Sequence, residues 1–128
     1  MFYIFQALKK KNCRQEVFDC IRRWWGEFVQ ADCSTTPEGF LEQATPGGWS
    51  FCHAWSSHPL VHFSELLLGV RQLEPAWKKI AFEPLLIPGL DISGSVPTPF
   101  GDIQVSITWK DGKADQQITL PDGVECER

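Results

Sequence analysis

The chain has 128 residues, 43% hydrophobic and 22% charged, a globular composition sufficient for one domain or two small ones. Its formal net charge is −4, and its one basic cluster is Lys9-Lys10-Lys11, so the electrostatic footprint of a nucleic-acid binder is missing. No apolar run approaches the ~18 residues of a membrane span, so no spanning helix and no membrane partner are expected.

The opening MFYIFQAL is apolar on every side, and its basic residues follow the apolar run, the reverse of a signal peptide. A helix that is hydrophobic all round is buried against other protein, and this one is expected to be. Residues 13 to 31 read as an amphipathic helix. Val17, Phe18, Ile21, Trp24, Trp25, Phe28 and Val29 recur at helical spacing, with Arg14, Glu16, Asp19, Arg22, Arg23 and Glu27 mostly opposite. Asn12 followed by Gln15 is expected to form a capping box at its start. A third helix begins near Pro59, a favoured first-turn residue, and stops at Gly69, a favoured C-terminal cap. Its body, LVHFSELLL, is apolar on most faces and is also expected to be buried. Alternating buried and amphipathic helices are the pattern of a double ring, inner and outer.

After residue 72 the hydrophobic period changes from helical to alternating. KKIAFEPLLIP reads as a strand ended by Pro88 and Gly89, and SGSVPTPFGD as an edge strand or loop because of its prolines. DIQVSITW puts Ile103, Val105, Ile107 and Trp109 on one face, and Asp111-Gly112 supplies a hairpin turn into the strand KADQQITLP. PDG at residues 121–123 turns the chain again. The expectation is an α+β chain: helices over 1–72, then an all-antiparallel sheet or small β-sandwich over 73–128.

Cysteines 13, 20, 33, 52 and 126 form an odd set without a CxxC pair. Cys13 and Cys20 lie about two helical turns apart, roughly 10 Å, too far to bridge. Reduced thiols in a cytoplasmic protein are expected, with no metal and no cofactor.

Helix–helix connections usually take about 2–8 residues, and much longer ones are often functional. Here the stretch from Ser34 to Pro59, STTPEGFLEQATPGGWSFCHAWSSHP, joins two helices. Consecutive helices are expected to be antiparallel, so the whole connection projects from one end of the helical layer. It carries Glu38, Glu42, Trp49, His53, Trp55 and His58: carboxylates, imidazoles and aromatic walls. That mixture suits a sugar, whose C–H faces pack on indoles and whose hydroxyls need fixed donors and acceptors. Each residue also has a structural reading. Thr35 with Glu38 matches a capping box for a short helix in PEGFLEQ, and His53 between Cys52 and Ala54 fits a satisfied core histidine. Trp24, Trp25 and Trp109 fit packing faces.

GEFVQADCSTTPEGF, then SFCHAWSSHPLVHFSELLLGV, AWKKIAFEPLL and SGSVPTPFGDIQVSITW, in that order, resemble the C-terminal end of bacterial alpha-L-rhamnosidases, glycoside hydrolase family 78. The resemblance covers nearly the whole chain. It implies the end of an (α/α)6 barrel followed by a C-terminal β-sandwich, and inverting hydrolysis of terminal alpha-L-rhamnosides. It places the general base on Glu38 and a sugar contact on His53, with Trp49 and Trp55 as candidate walls.

An inverting glycosidase needs a carboxylic acid and a carboxylate base roughly 6.5–9.5 Å apart on opposite faces of the sugar. Glu42 is a poor partner for Glu38, because residues four apart on one helical turn lie about 5–6 Å apart and face the same way. Six helical hairpins need on the order of 300 residues, so the general acid is expected upstream of residue 1 and the chain is expected to be inactive alone. A partial barrel is expected to self-associate through Phe2, Ile4, Phe5, Leu8 and Leu66. The alternative is a non-catalytic module binding carbohydrate or protein, marked by an exposed aromatic strip for which Trp109 and Phe100 are the candidates.

Overall fold

The computed structural model describes residues 1–40 and 50–127. The chain divides into two compact units, Met1–Val61 and His62–Arg128, the division falling inside the third helix.

The first unit is built on two helices, α1 (Phe2–Lys10) and α2 (Arg14–Gln30). α2 follows the predicted pattern at Val17, Phe18, Ile21 and Phe28, which are buried, but Val29 from the same predicted face is exposed. The expected capping box at its start does not form. Asn12 instead closes α1 from a left-handed conformation (φ 60°), with the Cys13 N–H on the Leu8 carbonyl (2.9 Å) and the Asn12 N–H on Lys9 (3.0 Å). That is a Schellman closure, and it leaves Cys13 as the α2 cap with no side-chain capping bond. The Gln15 amide donates to Asp19, one turn on, at 3.0 Å. α2 ends the same way, with Asp32 at φ 52° and the Cys33 N–H on the Phe28 carbonyl (2.9 Å). α1 departs from the expected burial on all sides. Phe5 is buried against the rings of Trp25 and His58, but Tyr3 and Ile4 are exposed.

α3 (Pro59–Leu66) starts at the predicted proline and stops three residues before Gly69. It too is less buried than expected, because Leu60 and Val61 are exposed while His62 and Leu66 are buried.

The second unit holds six strands in two sheets. β1 (Val70–Gln72), β2 (Lys79–Phe82) and β6 (Glu125–Glu127) form one, in the order β1-β2-β6. β3 (Ile92–Thr98), β4 (Gly101–Lys110) and β5 (Lys113–Thr119) form the other, antiparallel throughout. β3 is an edge strand, one of the two expectations for its proline-containing stretch, and Pro97 pairs with Asp102 near its end. The β4–β5 turn is the predicted Asp111-Gly112 pair, with φ 49° and 75°.

One pairing departs from the all-antiparallel expectation. β6 runs parallel to β2, with Cys126 opposite Ile80. Parallel neighbours need a long crossover connection, and here the whole β3-β4-β5 sheet supplies it. Alternation along β4 sends Ile103, Val105 and Ile107 inward, whereas β2 is buried at three successive residues, Ile80, Ala81 and Phe82. Val70, Ile80, Phe82, Val96, Ile103, Val105, Ile107 and Val124 form one buried cluster drawn from both sheets. All five cysteines are free, and no described helix is long and apolar enough to cross a membrane.

Candidate functional site

The two arms of the connection after α2 are tied together by hydrogen bonds. The Glu38 N–H donates to the Ser50 carbonyl at 2.8 Å, and the Ser50 N–H donates to the Glu38 Oε2 at 3.2 Å. Two residues earlier, the His53 N–H donates to the Thr36 carbonyl (2.9 Å), and the Thr36 hydroxyl returns a bond to the His53 carbonyl (3.2 Å). The Thr35 hydroxyl donates to the Phe51 carbonyl. These bonds replace the capping box considered for Thr35 and Glu38, since both side chains are committed across the connection. The β-like pairing carries Glu38 and His53 on facing arms of one structure.

Glu38 is exposed, beside buried Pro37, at the edge of a cleft of about 160 Å³. The cleft is lined by Trp25, Phe28, Phe40, Trp55 and His58 among others. Phe28 and Phe40 stack 6.5 Å apart at 19°, and Trp25 meets Phe40 edge-on at 6.2 Å. Aromatic side chains thus supply its walls, and Glu38 is the one carboxylate among its described lining residues. Trp55 sits on the 3-10 turn Ala54–Ser57, largely exposed, and also borders an adjoining open hollow of about 330 Å³ with Phe2, Leu60 and Val61.

Of the predicted site residues, Glu38 and Trp55 come together in this cleft. His53 is half-buried and held through its backbone to Thr36, and it does not line the cleft. Trp49 and Glu42 lie outside the described residues. His58 and Trp25 are cleft residues that periodicity did not single out. His58 was visible only as one imidazole in the long connection, and Trp25 falls on the packing face of α2. Burial lowers the His58 pKa from its ordinary value, and the nearby amino terminus lowers it further against a backbone hydrogen bond that raises it. The imidazole therefore favours its neutral form, able to donate or accept a hydrogen bond.

The second unit offers a different surface. The outward face of the β3-β4-β5 sheet forms a shallow bowl of about 420 Å³, with Ser93, Ser95, Gln104, Ser106, Gln117 and Thr119 around it. Trp109 lies on the opposite side of β4, half-buried, and Phe100 sits at the β3–β4 turn. They form no aromatic strip on that bowl.

Residues 69–127 match the bacterial alpha-L-rhamnosidase C-terminal domain. A 66-residue stretch is 39% identical to an alpha-L-rhamnosidase from Alteromonas sp. (strain LOR), covering 51% of this chain and 7% of that protein. The chain thus matches only a small part of the length of this curated relative. The matched domain begins at the glycine that precedes β1 and ends with β6, the span of both sheets and their shared core. Residues 69–127 are thus similar to the C-terminal domain of bacterial alpha-L-rhamnosidases.

Proposed function

We propose that this chain is the C-terminal section of an alpha-L-rhamnosidase-type glycoside hydrolase, and that Glu38 is the general base in inverting hydrolysis of terminal alpha-L-rhamnosides. In this reading α1 to α3 are the last helices of a six-hairpin barrel, and the two sheets around one core are its C-terminal β-sandwich. The observation that carries the assignment to Glu38 is its placement: a solvent-reaching carboxylate at the edge of an aromatic-walled cleft, fixed by the Ser50 N–H.

The chemistry follows from that placement. The Glu38 carboxylate removes a proton from a water whose oxygen attacks the anomeric carbon, and the C–O bond to the leaving group breaks on the opposite face. The departing oxygen receives a proton from a carboxylic acid across the sugar. Glu38 is the one carboxylate lining the cleft among the described residues, and on the family resemblance we assign that acid to barrel helices upstream of residue 1. Trp55 offers a face to the sugar ring from the cleft wall, while the roles of His53 and Trp49 as sugar contacts rest on the family resemblance alone.

The test is hydrolysis of an aryl alpha-L-rhamnoside. The isolated chain is expected to give none. In a longer polypeptide that restores the upstream helices, Glu38→Gln is expected to lower turnover by about 10²–10⁴-fold, the usual share of general-base catalysis. His53→Ala is expected to weaken substrate binding as well as rate. Near-normal turnover after Glu38→Gln would reduce the Glu38 carboxylate to a brace for Ser50.

A further inference from the structure

We infer that Trp25 is a positioning residue of the Glu38 cleft, its indole N–H holding the turn Ala54–Ser57 so that Trp55 and His58 stand as a fixed wall. The inference rests on the reading of this cleft as the sugar site. Trp25 Nε1 donates to the Ser56 carbonyl at 2.7 Å, a partly buried bond between residues 31 apart in sequence. The turn's other hydrogen bonds are internal: the Ser56 N–H to the His53 carbonyl at 3.0 Å, and the Ser57 hydroxyl to the Ala54 carbonyl at 2.6 Å. These shape the turn, which leads through His58 into α3 but is not tied by them to α2. The Trp25 bond attaches it to α2, the longest rigid element of the unit.

The same indole touches both sides of the cleft. Its ring meets His58 edge-on at 4.9 Å on the side of the turn, and Phe40 edge-on at 6.2 Å on the side of Glu38. A shielded indole N–H usually finds a hydrogen-bond partner, so what bears on the cleft is which group that partner is. Here the N–H is spent on the carbonyl next to Trp55, and a partly shielded bond of this kind meets less competition from water. Trp25→Phe separates the two roles, since it keeps an aromatic ring against His58 and Phe40 while deleting the donor.

The experiment uses the full chain, isotopically labelled, with L-rhamnose as the probe and the tryptophan indole N–H signals as the readout. In the parent chain the Trp25 indole proton is expected to exchange slowly with solvent, and the Trp55 signal to shift as rhamnose is added. In Trp25→Phe the α2 signals are expected to stay in place while Ala54–Ser57 and the Trp55 indole lose order on the fast timescale. Rhamnose affinity is expected to fall about fivefold, the equivalent of one hydrogen bond. A Trp55 indole as ordered as in the parent, with unchanged affinity, overturns the inference. So does rapid exchange of the parent Trp25 indole proton, a measurement that needs no variant and stands even if Trp25→Phe fails to fold. If Trp25→Phe frees the turn but rhamnose shifts no signal in the parent, the positioning role stands and the sugar-site reading fails.

Discussion

His58 has its ring edge-on to Phe2, Phe5 and Trp25, at 6.0, 5.5 and 4.9 Å, so its charge state bears on how α1 and the turn pack on α2. Burial is the main cause that lowers its pKa, with the amino-terminal charge next. A folded pKa below the unfolded value means that the unfolded chain binds the proton more tightly. The associated stability is therefore fully present above the unfolded value of about 6.5 and is lost as pH falls through the folded pKa. The expected outcome is a lower urea midpoint for the helical signal at about pH 5 than at about pH 7.5, with His58→Phe flattening the difference. Circular dichroism checks it, and an equally steep pH dependence in His58→Phe would assign the effect to another group.

Among the elements, the junction from α3 into β1 is the least tolerant of change. Gly69 has φ +69°, its carbonyl accepts the Glu83 N–H at 2.8 Å, and the Leu66 carbonyl accepts the Leu85 N–H at 2.7 Å. A Cβ on Gly69 would lie 2.2 Å from the Pro84 nitrogen and 2.4 Å from its Cα, and these backbone atoms cannot swing aside. Gly89 has a similar φ, +78°, but open space around the position of a Cβ. Gly89→Ala should therefore cost only the left-handed penalty of about 1–2 kcal/mol. Gly69→Ala should cost distinctly more, about 3 kcal/mol or beyond, because steric overlap adds to that penalty. Chemical denaturation of the two variants side by side tests this, and equal losses would show that the junction relaxes freely.

For the whole molecule, the exposed apolar surface of the first unit is the feature that asks for a partner. The residues expected to carry it were Phe2, Ile4, Phe5, Leu8 and Leu66, but Phe5 and Leu66 are fully buried and Phe2 and Leu8 partly so. Met1, Tyr3, Ile4, Val29, Phe51, Trp55, Leu60 and Val61 are the large apolar residues exposed among the described residues of that unit. Apolar patches beyond a few hundred Å² usually mark interaction sites. We propose that the chain self-associates through the helical part of this surface, Tyr3 and Ile4 of α1 with Leu60 and Val61 of α3. Sedimentation at micromolar concentration is expected to show a dimer or larger species, and Leu60→Lys with Ile4→Lys to shift it toward monomer. A clean monomer of the parent chain would count against the proposal.

Periodicity alone located α2 and the buried face of β4, because each repeats one local rule over many residues: Val17, Phe18, Ile21 and Phe28 in the first, Ile103, Val105 and Ile107 in the second. The Asp111-Gly112 turn was equally legible, since positive φ at both positions is a local demand met by local chemistry. Glu38 was legible as a site candidate through the resemblance of its surroundings to a known family, whereas spacing by itself suited a helix cap as well. Other features depended on partners far away in sequence. Asn12 could cap α2 or close α1, and the geometry of the helix junction decided. β6 took a parallel neighbour because the second sheet is inserted between it and β2. Trp25 and His58 became cleft residues only when Ser56 met α2 across 31 positions. The sequence by itself determined α2, the inward face of β4 and the turn after it, because those follow from repeats and turn chemistry within a few residues. The tertiary structure alone decided which side chains share a cleft, because that depends on contacts no local pattern encodes.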